Sequence, residues 1–377
     1  MAGMTTSADT ESACRDDPKV WLLLDDRPGH RTQVIGLASS LGWPYETRQL
    51  AFNRLNKVPN PILGAGLTSL DRSASDGLDP PYPDLVIAMG RRCIPIARWI
   101  RRASGGRTRL VQLGRKGVTS PGDFGLLVSC AHFNFPPHPR RVEVTVPPTQ
   151  VTADQLSAAR QCWRGLLDGK SKPCTVFLVG GETAHHRFLP DTAASVALRV
   201  QAAALANGGS LTVVTSPRTP SNAVDAMRTA LDRSEIHAWK PGQRENPYLG
   251  YLAWADILVV TGESESMIAE AAATSKPLYI VPLPRKPLTL KRQFVNVFTA
   301  PRAGAIAAAG NALINFGWLT PTRDVEKMHD QMYRQGLARP FEESLSLEPP
   351  AQINGLSVVT QRIRSLFGES EIRGSAP

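Results

Sequence analysis

The sequence predicts an α/β protein made of two doubly wound, Rossmann-like domains that face each other. Three observations predict this class. Short apolar runs rich in β-branched residues alternate with segments of helical periodicity, first over residues 20–128 and again from residue 175 onward. The chain has 377 residues, which suits two domains of ordinary size. A stretch with paired prolines near residues 147–172 separates the two series and is the predicted boundary.

The N-terminal series opens with a predicted strand over residues 20–24, which is apolar throughout. The helix that follows is indicated by apolar residues at i, i+3, i+4 and i+7 from Val34 to Leu41. Residues 53–83 are rich in Pro, Gly, Asn and Ser, so they are predicted to be mostly loop with one short helix. Further strands are predicted over residues 84–88, 110–113 and 124–128, followed by a helix over residues 152–166.

The second series starts with the strand 175–179, which runs into Gly180-Gly181. A long helix over residues 191–206 is stopped by Asn207-Gly208-Gly209, a sequence typical of a helix C-terminus. The remaining predicted elements are the strands 211–215, 235–238, 257–260 and 278–281 and the helices 222–231, 292–298, 323–335 and 356–367.

Domain boundaries follow from these series. Residues 1–17 are rich in Ser, Thr and Asp, lack the apolar core of a signal peptide and are predicted to be a disordered tail. The N-terminal domain is predicted over residues 18–150 and the C-terminal domain over residues 170–340. The last segment, 341–377, is expected to place its helix back on the N-terminal domain.

Composition excludes several classes of protein. Hydrophobic residues make up 42% and charged residues 20% of the chain, so a packed core is expected. There is no apolar run near the roughly 18 residues that suggest a membrane-spanning helix. The five cysteines are odd in number and have no metal-binding spacing, and the adjacent His185-His186 do not converge on one face. We therefore expect free thiols in a reducing cytoplasm, no metal site, and at most peripheral attachment to the inner face of a membrane.

One strand–turn–helix unit, residues 255–282, is the most informative part of the chain. Residues 257–260 are β-branched and apolar, as in a parallel strand that is covered on both faces. The polar turn that follows ends at Ser264, which is expected to cap the next helix. That helix carries an apolar stripe, yet Glu270 lies among its alanines. Because ligands of open α/β sheets bind at the carboxyl ends of strands, this turn is a predicted binding site.

The net charge of +10 is concentrated in residues 85–122, which contain nine basic and no acidic residues. On a helix, Arg98, Arg101 and Arg102 would form one basic face, opposite an apolar face of Ile96, Trp99, Ile100 and Ala103. Three interpretations remain open: a solvated face, an anionic lipid or phosphorylated acceptor, and, least favoured, nucleic acid. The residues expected at an anionic membrane surface are Arg91, Arg92, Arg98, Arg101 and Arg102.

Three motifs together resemble one family. They are the Asp-Arg-Pro-Gly-His-Arg-Thr-Gln sequence that starts at Asp26, the Thr-Gly-Glu-Ser-Glu-Ser-Met-Ile-Ala-Glu-Ala sequence that starts at Thr261, and Arg339-Pro340-Phe341. Over most of residues 20–368 the chain resembles the mitochondrial-fission ELM family, a bacterial and plant group also described as glycosyltransferase-like. The second motif also resembles the donor-binding half of GT-B glycosyltransferases, such as the bacterial enzyme that adds N-acetylglucosamine to the lipid-linked peptidoglycan precursor.

The resemblance implies a GT-B fold with a nucleotide-diphosphate sugar as donor substrate and no further cofactor. It implies that Glu270 accepts hydrogen bonds from the ribose hydroxyls and that Gln293 binds the sugar. Gly180-Gly181, with Arg187, is expected to bind the diphosphate, since glycines let backbone N–H groups approach an anion. The other implied donor contacts are Thr261, Gly262, Ser264 and Ser266.

Two acidic residues depart from the GT-B pattern. Glu263 and Glu265 flank Ser264 at the start of a predicted helix, where they would repel a phosphate. Either the diphosphate lies nearer Gly180-Gly181, or donor binding has changed or been lost.

The loop after the first strand is the second predicted site. His30 is the expected general base for an acceptor hydroxyl, because its ordinary pKa is near ~6.5. Asp25 or Asp26 is expected to orient His30 or to act as the base itself. The preferred function is a metal-independent glycosyltransferase with an anionic or lipid-linked acceptor. The alternatives are a GT-B-like membrane-surface adaptor without transfer activity and, less favoured, a nucleotide-sugar epimerase.

Overall fold

The computed structural model describes residues 17–114, 121–231, 235–243, 245–287, 305–352 and 355–368. Its N-terminal sheet contains six parallel strands in the order β2-β1-β3-β4-β5-β6. Their bounds are β1 (Val20–Leu24), β2 (Tyr45–Gln49), β3 (Leu85–Met89), β4 (Arg109–Leu113), β5 (Leu126–Cys130) and β6 (Arg141–Val144). The helices of this domain are α1 (Pro28–Leu41), α2 (Asn60–Leu63) and α3 (Ile94–Ala103).

The C-terminal sheet is also six-stranded and parallel. Its strands are β7 (Cys174–Val179), β8 (Ser210–Thr215), β9 (Glu235–His237), β10 (Ile257–Thr261), β11 (Leu278–Val281) and β12 (Arg339–Pro340), in the order β12-β11-β10-β7-β8-β9. The helices, in chain order, are α4 (Ala153–Cys162), α5 (Pro190–Ala206), α6 (Ser221–Ala230), α7 (Tyr248–Trp254), α8 (Glu265–Ala272), α9 (Ala305–Asn315), α10 (Val325–Arg334) and α11 (Gly355–Ser365). The predicted class, two doubly wound α/β domains, is confirmed.

The central strands of both sheets are apolar on both faces, as expected where helices cover each side. In β3 and β10 every residue is buried. The predicted apolar stripe of α8 lies inward, with Met267, Ile268, Ala271 and Ala272 each no more than 7% exposed. None of the described helices is both long and apolar enough to cross a membrane.

Helix α11 lies on the N-terminal domain, although it follows the C-terminal domain in the chain. Its Val359 and Ile363 are fully buried in the same apolar cluster as the β1 and β3 residues. Arg364 donates from Nη2 to the Leu41 carbonyl at the end of α1 at 2.5 Å. The ring of Phe367 meets Trp43 edge-on at a centroid distance of 5.3 Å.

The strand orders fix where ligands can bind. In the N-terminal sheet the connections run in opposite directions from β1 and β3, and in the C-terminal sheet from β7 and β10. A crevice opens at such a switch point, outside the carboxyl ends of the two strands. The segments there are residues 25–30, which include the first turn of α1, and residues 90–93 in one domain, and residues 180–187 and 262–264 in the other.

Candidate functional site

A cavity of about 470 Å³ lies between the two domains, at the switch point of the N-terminal sheet. The loops after β1 and β3 form one side, and residues at the start of α8 and before α10 form the other. We call it the interdomain cavity. Its lining residues are Asp25, Arg27, His30, Gln33, Asn56, Met89, Gly90, Arg91, Arg92, Phe133, Glu265 and Arg323.

The predicted His30 and Asp25 meet in this cavity. His30 Nδ1 lies 3.0 Å from Oδ2 and 3.1 Å from Oδ1 of Asp25. A carboxylate only accepts hydrogen bonds, so Nδ1 carries a proton in this pair. In the neutral ring Nε2 is then the free base. The arrangement can accept a proton from a hydroxyl group at Nε2 while Asp25 stabilises the resulting imidazolium.

Local structure holds His30 in place. Pro28 stands in the first turn of α1, where its fixed φ suits the helix start and its missing N–H is no loss. Gly90, after β3, has a φ of 80°, and a Cβ at this position would lie 2.6 Å from the His30 ring. A glycine is therefore required for the imidazole to pack against this turn.

Asp25 is nearly inaccessible, with a side chain that is 1% exposed. Burial acts to raise its pKa, but the hydrogen bond and charge of His30, the backbone N–H of Arg27 and the charge of Arg92 outweigh it. The pKa of Asp25 therefore lies below its usual range. Arg92 Nη2 lies 3.3 Å from Asp25 and also binds Asp26, which is otherwise exposed. Asp25 thus orients His30, and Asp26 pairs with Arg92 outside the cavity.

The C-terminal domain adds a second acid to the cavity. Glu265 Oε1 lies 3.0 Å from His132 Nε2 and 3.0 Å from Arg323 Nη1. His132 belongs to the N-terminal domain and is fully buried. Glu265 therefore joins the two domains.

The backbone N–H groups of Gly180 and Gly181, which were predicted to bind the diphosphate, already donate to acceptors within the protein. The Gly180 N–H donates to Thr261 Oγ1 at 2.8 Å, and the Gly181 N–H donates to Glu263 Oε1 at 2.7 Å. Glu263 is 2% exposed, and a Cβ at Gly180 would overlap its carboxylate. Burial raises the pKa of Glu263. The expectation that these two N–H groups are free to bind phosphate is therefore wrong for this conformation.

The other residues predicted to contact the donor either bond within the protein or are exposed to solvent. Ser264 makes no side-chain cap bond to α8, contrary to the prediction, and its hydroxyl instead accepts a hydrogen bond from Arg218 Nη2 at 2.8 Å. The Gly262 carbonyl accepts a hydrogen bond from the buried His329 at 2.7 Å. Ser266 and Arg187 are exposed.

Glu270 has a partner inside the protein. Its Oε2 accepts a hydrogen bond from the Tyr248 hydroxyl of α7 at 2.7 Å. Burial raises the pKa of Glu270, and this hydrogen bond opposes the rise. Glu270 does not line the interdomain cavity. Gln293 lies outside the described residues.

The predicted basic surface is divided between two places. Arg91 donates to the carbonyl groups of Val58 and Asn56 and, with Arg92, lines the interdomain cavity. The rest of the set, Arg98, Arg101 and Arg102, borders a separate surface depression of about 390 Å³ with Asp123. Arg98, Arg101 and Arg102 therefore lie together, and Arg91 and Arg92 lie apart from them in the interdomain cavity.

A larger cavity of about 700 Å³ lies beside the later turns of α1 and α8. Its described lining is mostly Ala, Val, Pro, Ser and Thr, and Glu143 is its one ionisable member there. It lacks a paired acid and base, so the interdomain cavity is the better candidate for chemistry. Within the described residues, no group of three His, Cys, Asp or Glu side chains is arranged to hold a metal ion.

Sequence reasoning missed three participants: His132, Arg218 and Arg323. His132 follows β5 at the carboxyl edge of the sheet, so its position in the sequence could have marked it as a candidate site residue. Arg323 precedes α10 and Arg218 precedes α6, and no local pattern marks either as part of a site.

The family model described as mitochondrial fission ELM1 matches residues 28–300. The mitochondrial fission protein ELM1 of Arabidopsis thaliana is 28% identical over 58% of this chain and 56% of its own length, so the match spans little more than half of that protein. An uncharacterized protein of Rickettsia prowazekii is 24% identical over 69% of this chain and 82% of its own length.

Solved structures with similar architecture were also found. The UDP-GlcNAc 2-epimerase of Neisseria meningitidis bound to UDP-GlcNAc has a TM-score of 0.45 and 11% identity, covering 92% of this chain and 100% of that one. MurG of Acinetobacter baumannii has a TM-score of 0.37 and 14% identity, covering 92% and 99%.

Proposed function

We propose a function from the premise that this chain belongs to the mitochondrial fission ELM1 family. The proposed function is a glycosyltransferase that uses a nucleotide-diphosphate sugar and an anionic or lipid-linked acceptor. One observation carries the proposal: the paired His30 and Asp25 lie in a cavity that both doubly wound domains line. Such a cavity can hold two substrates while a base and its orienting acid face them.

In the proposed reaction the acceptor hydroxyl attacks the anomeric carbon of the sugar. His30 Nε2 takes the hydroxyl proton, and the bond from the anomeric carbon to the diphosphate oxygen breaks with its electron pair on that oxygen. Asp25 holds the ring and stabilises its positive charge until the proton returns to solvent. The mechanism proposed for this step uses no bound metal.

The test is a panel of nucleotide sugars incubated with the purified protein and with lipid-linked or phosphorylated acceptors, followed by mass spectrometry. Sugar-bearing acceptor is the expected product, and its formation should survive a chelator. Thermal shift with the same panel reports donor binding, because a ligand that binds only the folded state raises its stability. Product that disappears with chelator and returns with a divalent cation would contradict the metal-free mechanism.

A second candidate, an adaptor without transfer activity, is favoured by Glu263, which occupies the Gly180-Gly181 turn. It predicts no thermal shift with any nucleotide sugar. The third candidate, an epimerase, predicts that the sugar changes configuration but stays on the nucleotide. Mass spectrometry with chromatographic separation of the sugar epimers distinguishes all three.

A further inference from the structure

The interdomain cavity is rich in guanidinium groups. Among its described lining residues are four arginines, namely Arg27, Arg91, Arg92 and Arg323, against two carboxylates, Asp25 and Glu265. The exposed Asp26 also pairs with Arg92. With Asp26 counted, the four guanidinium groups exceed the three carboxylates by one positive charge.

That surplus charge belongs to Arg27. Arg91 is engaged by two backbone carbonyls, Arg92 by the two aspartates and Arg323 by Glu265. Within the described part of the chain, the exposed Arg27 side chain has no such partner. It lines the cavity and lies one residue before α1.

The other candidate position for an anion, the Gly180-Gly181 turn, has no free N–H group in the described structure. At the C-terminal switch point, the Gly180 and Gly181 N–H groups are satisfied by Thr261 and Glu263. The Glu263 carboxylate lies 3.8 Å from Arg218 and is otherwise buried. A phosphate placed there would have to displace an internal acid, and until then it would be repelled by it.

We infer that the phosphoryl or diphosphoryl group of the ligand binds in the interdomain cavity beside Arg27, and not at the Gly180-Gly181 turn. Guanidinium groups suit this ligand, because they are always charged and donate two parallel hydrogen bonds to phosphate oxygens. The inference rests on the proposed function, since a donor diphosphate and an acceptor phosphate both supply this chemistry.

The test measures binding of inorganic pyrophosphate to the full-length protein by calorimetry. Arg27→Gln should weaken binding about tenfold or more, since a charge-assisted hydrogen bond is lost. Arg187→Gln is the matched control, because Arg187 is also exposed but lies after the Gly180-Gly181 turn of the C-terminal domain. It should leave the affinity unchanged. Loss of binding in Arg187→Gln with full binding in Arg27→Gln would overturn the inference, and so would no binding to the wild type.

Competition identifies the source of the phosphate. UDP or GDP should displace pyrophosphate if the site holds the donor diphosphate, and farnesyl diphosphate should displace it if the site holds a lipid-linked acceptor. Displacement by none of them overturns the inference. A chain that transfers sugar but binds pyrophosphate independently of Arg27 contradicts only this inference. A chain that binds pyrophosphate through Arg27 but transfers no sugar contradicts only the proposed function.

Discussion

His132 and Glu265 form a hydrogen bond across the two domains, with 3.0 Å between Nε2 and Oε1. His132 is fully buried, and among the described residues its Nδ1 has no hydrogen-bond partner. Glu265 is therefore the acceptor for the other ring nitrogen, Nε2. Neighbouring contacts lie on the same seam: Asp324 N donates to the His132 carbonyl at 2.9 Å. The relative position of the domains is therefore tied to the residues that line the interdomain cavity.

Glu265→Ala should lower the free energy of unfolding by about 1–3 kcal/mol, because it leaves the buried His132 Nε2 without an acceptor. Chemical denaturation measures the change. Ser266→Ala alters the adjacent exposed residue and should have little effect. Equal stability of both variants would show that the His132–Glu265 bond contributes nothing.

His30→Gln should reduce sugar transfer by about 10²–10⁴-fold, the usual cost of losing a general base. Donor affinity should change little, because the ring nitrogen acts on the acceptor. Asp25→Asn should also slow transfer, since an amide no longer favours the charged ring. Transfer rates and donor affinities are measured by mass spectrometry and calorimetry. Full activity in His30→Gln would exclude it as the base.

Glu270→Ala should lower the free energy of unfolding by about 1–3 kcal/mol, because the Tyr248 hydroxyl loses its acceptor. Glu270→Gln keeps an oxygen for Tyr248 and should unfold close to wild type. The resemblance assigns Glu270 to the ribose, and if that assignment holds, both variants weaken nucleotide binding by roughly 1.5–3 kcal/mol. Calorimetry with unchanged nucleotide affinity in both variants would leave Glu270 a structural role only.

Because of His329, the free energy of unfolding should fall in mild acid. Burial lowers its pKa from 6.5 to about 4. The ring is therefore neutral in the folded state at pH values where the unfolded chain binds a proton. The contribution of the neutral His329 ring to the free energy of unfolding is present above about pH 6.5. It is lost as the pH falls toward 4, which lowers the free energy of unfolding by up to about 3 kcal/mol.

Denaturation at pH 7 and pH 4.5 tests this sign. His329→Gln retains a donor for the Gly262 carbonyl and should show a smaller loss of stability between the two pH values. Burial also lowers the pKa of His138, but this histidine is less buried, so His138→Gln should change the pH dependence less than His329→Gln does. A pH dependence unaltered in His329→Gln contradicts the prediction.

Binding to anionic liposomes should depend on Arg98, Arg101 and Arg102. Each basic residue near such a surface contributes about 1 kcal/mol. Arg98 is paired with Asp123 at 2.6 Å, so we expect Arg102→Gln to matter more than Arg98→Gln. Co-sedimentation should rise with the fraction of anionic lipid and fall with salt. Arg199→Gln, on the other domain, is the control, and binding that ignores lipid charge would leave these arginines a solvated face.

The central strands were predictable because burial on both faces forces continuous apolar runs. Among the edge strands, β9 was predicted over residues 235–238, but β2, β6 and β12 were not. Residues of β2 (Tyr45–Gln49) are mostly exposed, and β12 has only two residues. Such strands are held by backbone hydrogen bonds to one neighbour, so they need no apolar pattern.

The site was partly predictable for a similar reason. The position of His30 and Asp25 at a strand end follows from the topology of parallel sheets. The direction in which a turn carboxylate points does not follow from the topology. The Glu263 carboxylate points inward to the Gly181 N–H and not toward a ligand. His132 and Glu265 are 133 positions apart in the sequence, so only the assembled fold brings them together.

The burial of Val359 and Ile363 from α11 has a consequence for synthesis. The N-terminal domain lacks part of its core until this helix leaves the ribosome, after about 200 further residues. At about 5–20 residues per second, that interval lasts about 10–40 s. During it, the apolar surface that α11 will cover is open to chaperones and to other nascent chains. Synthesis of α11 is therefore the step that completes the N-terminal core.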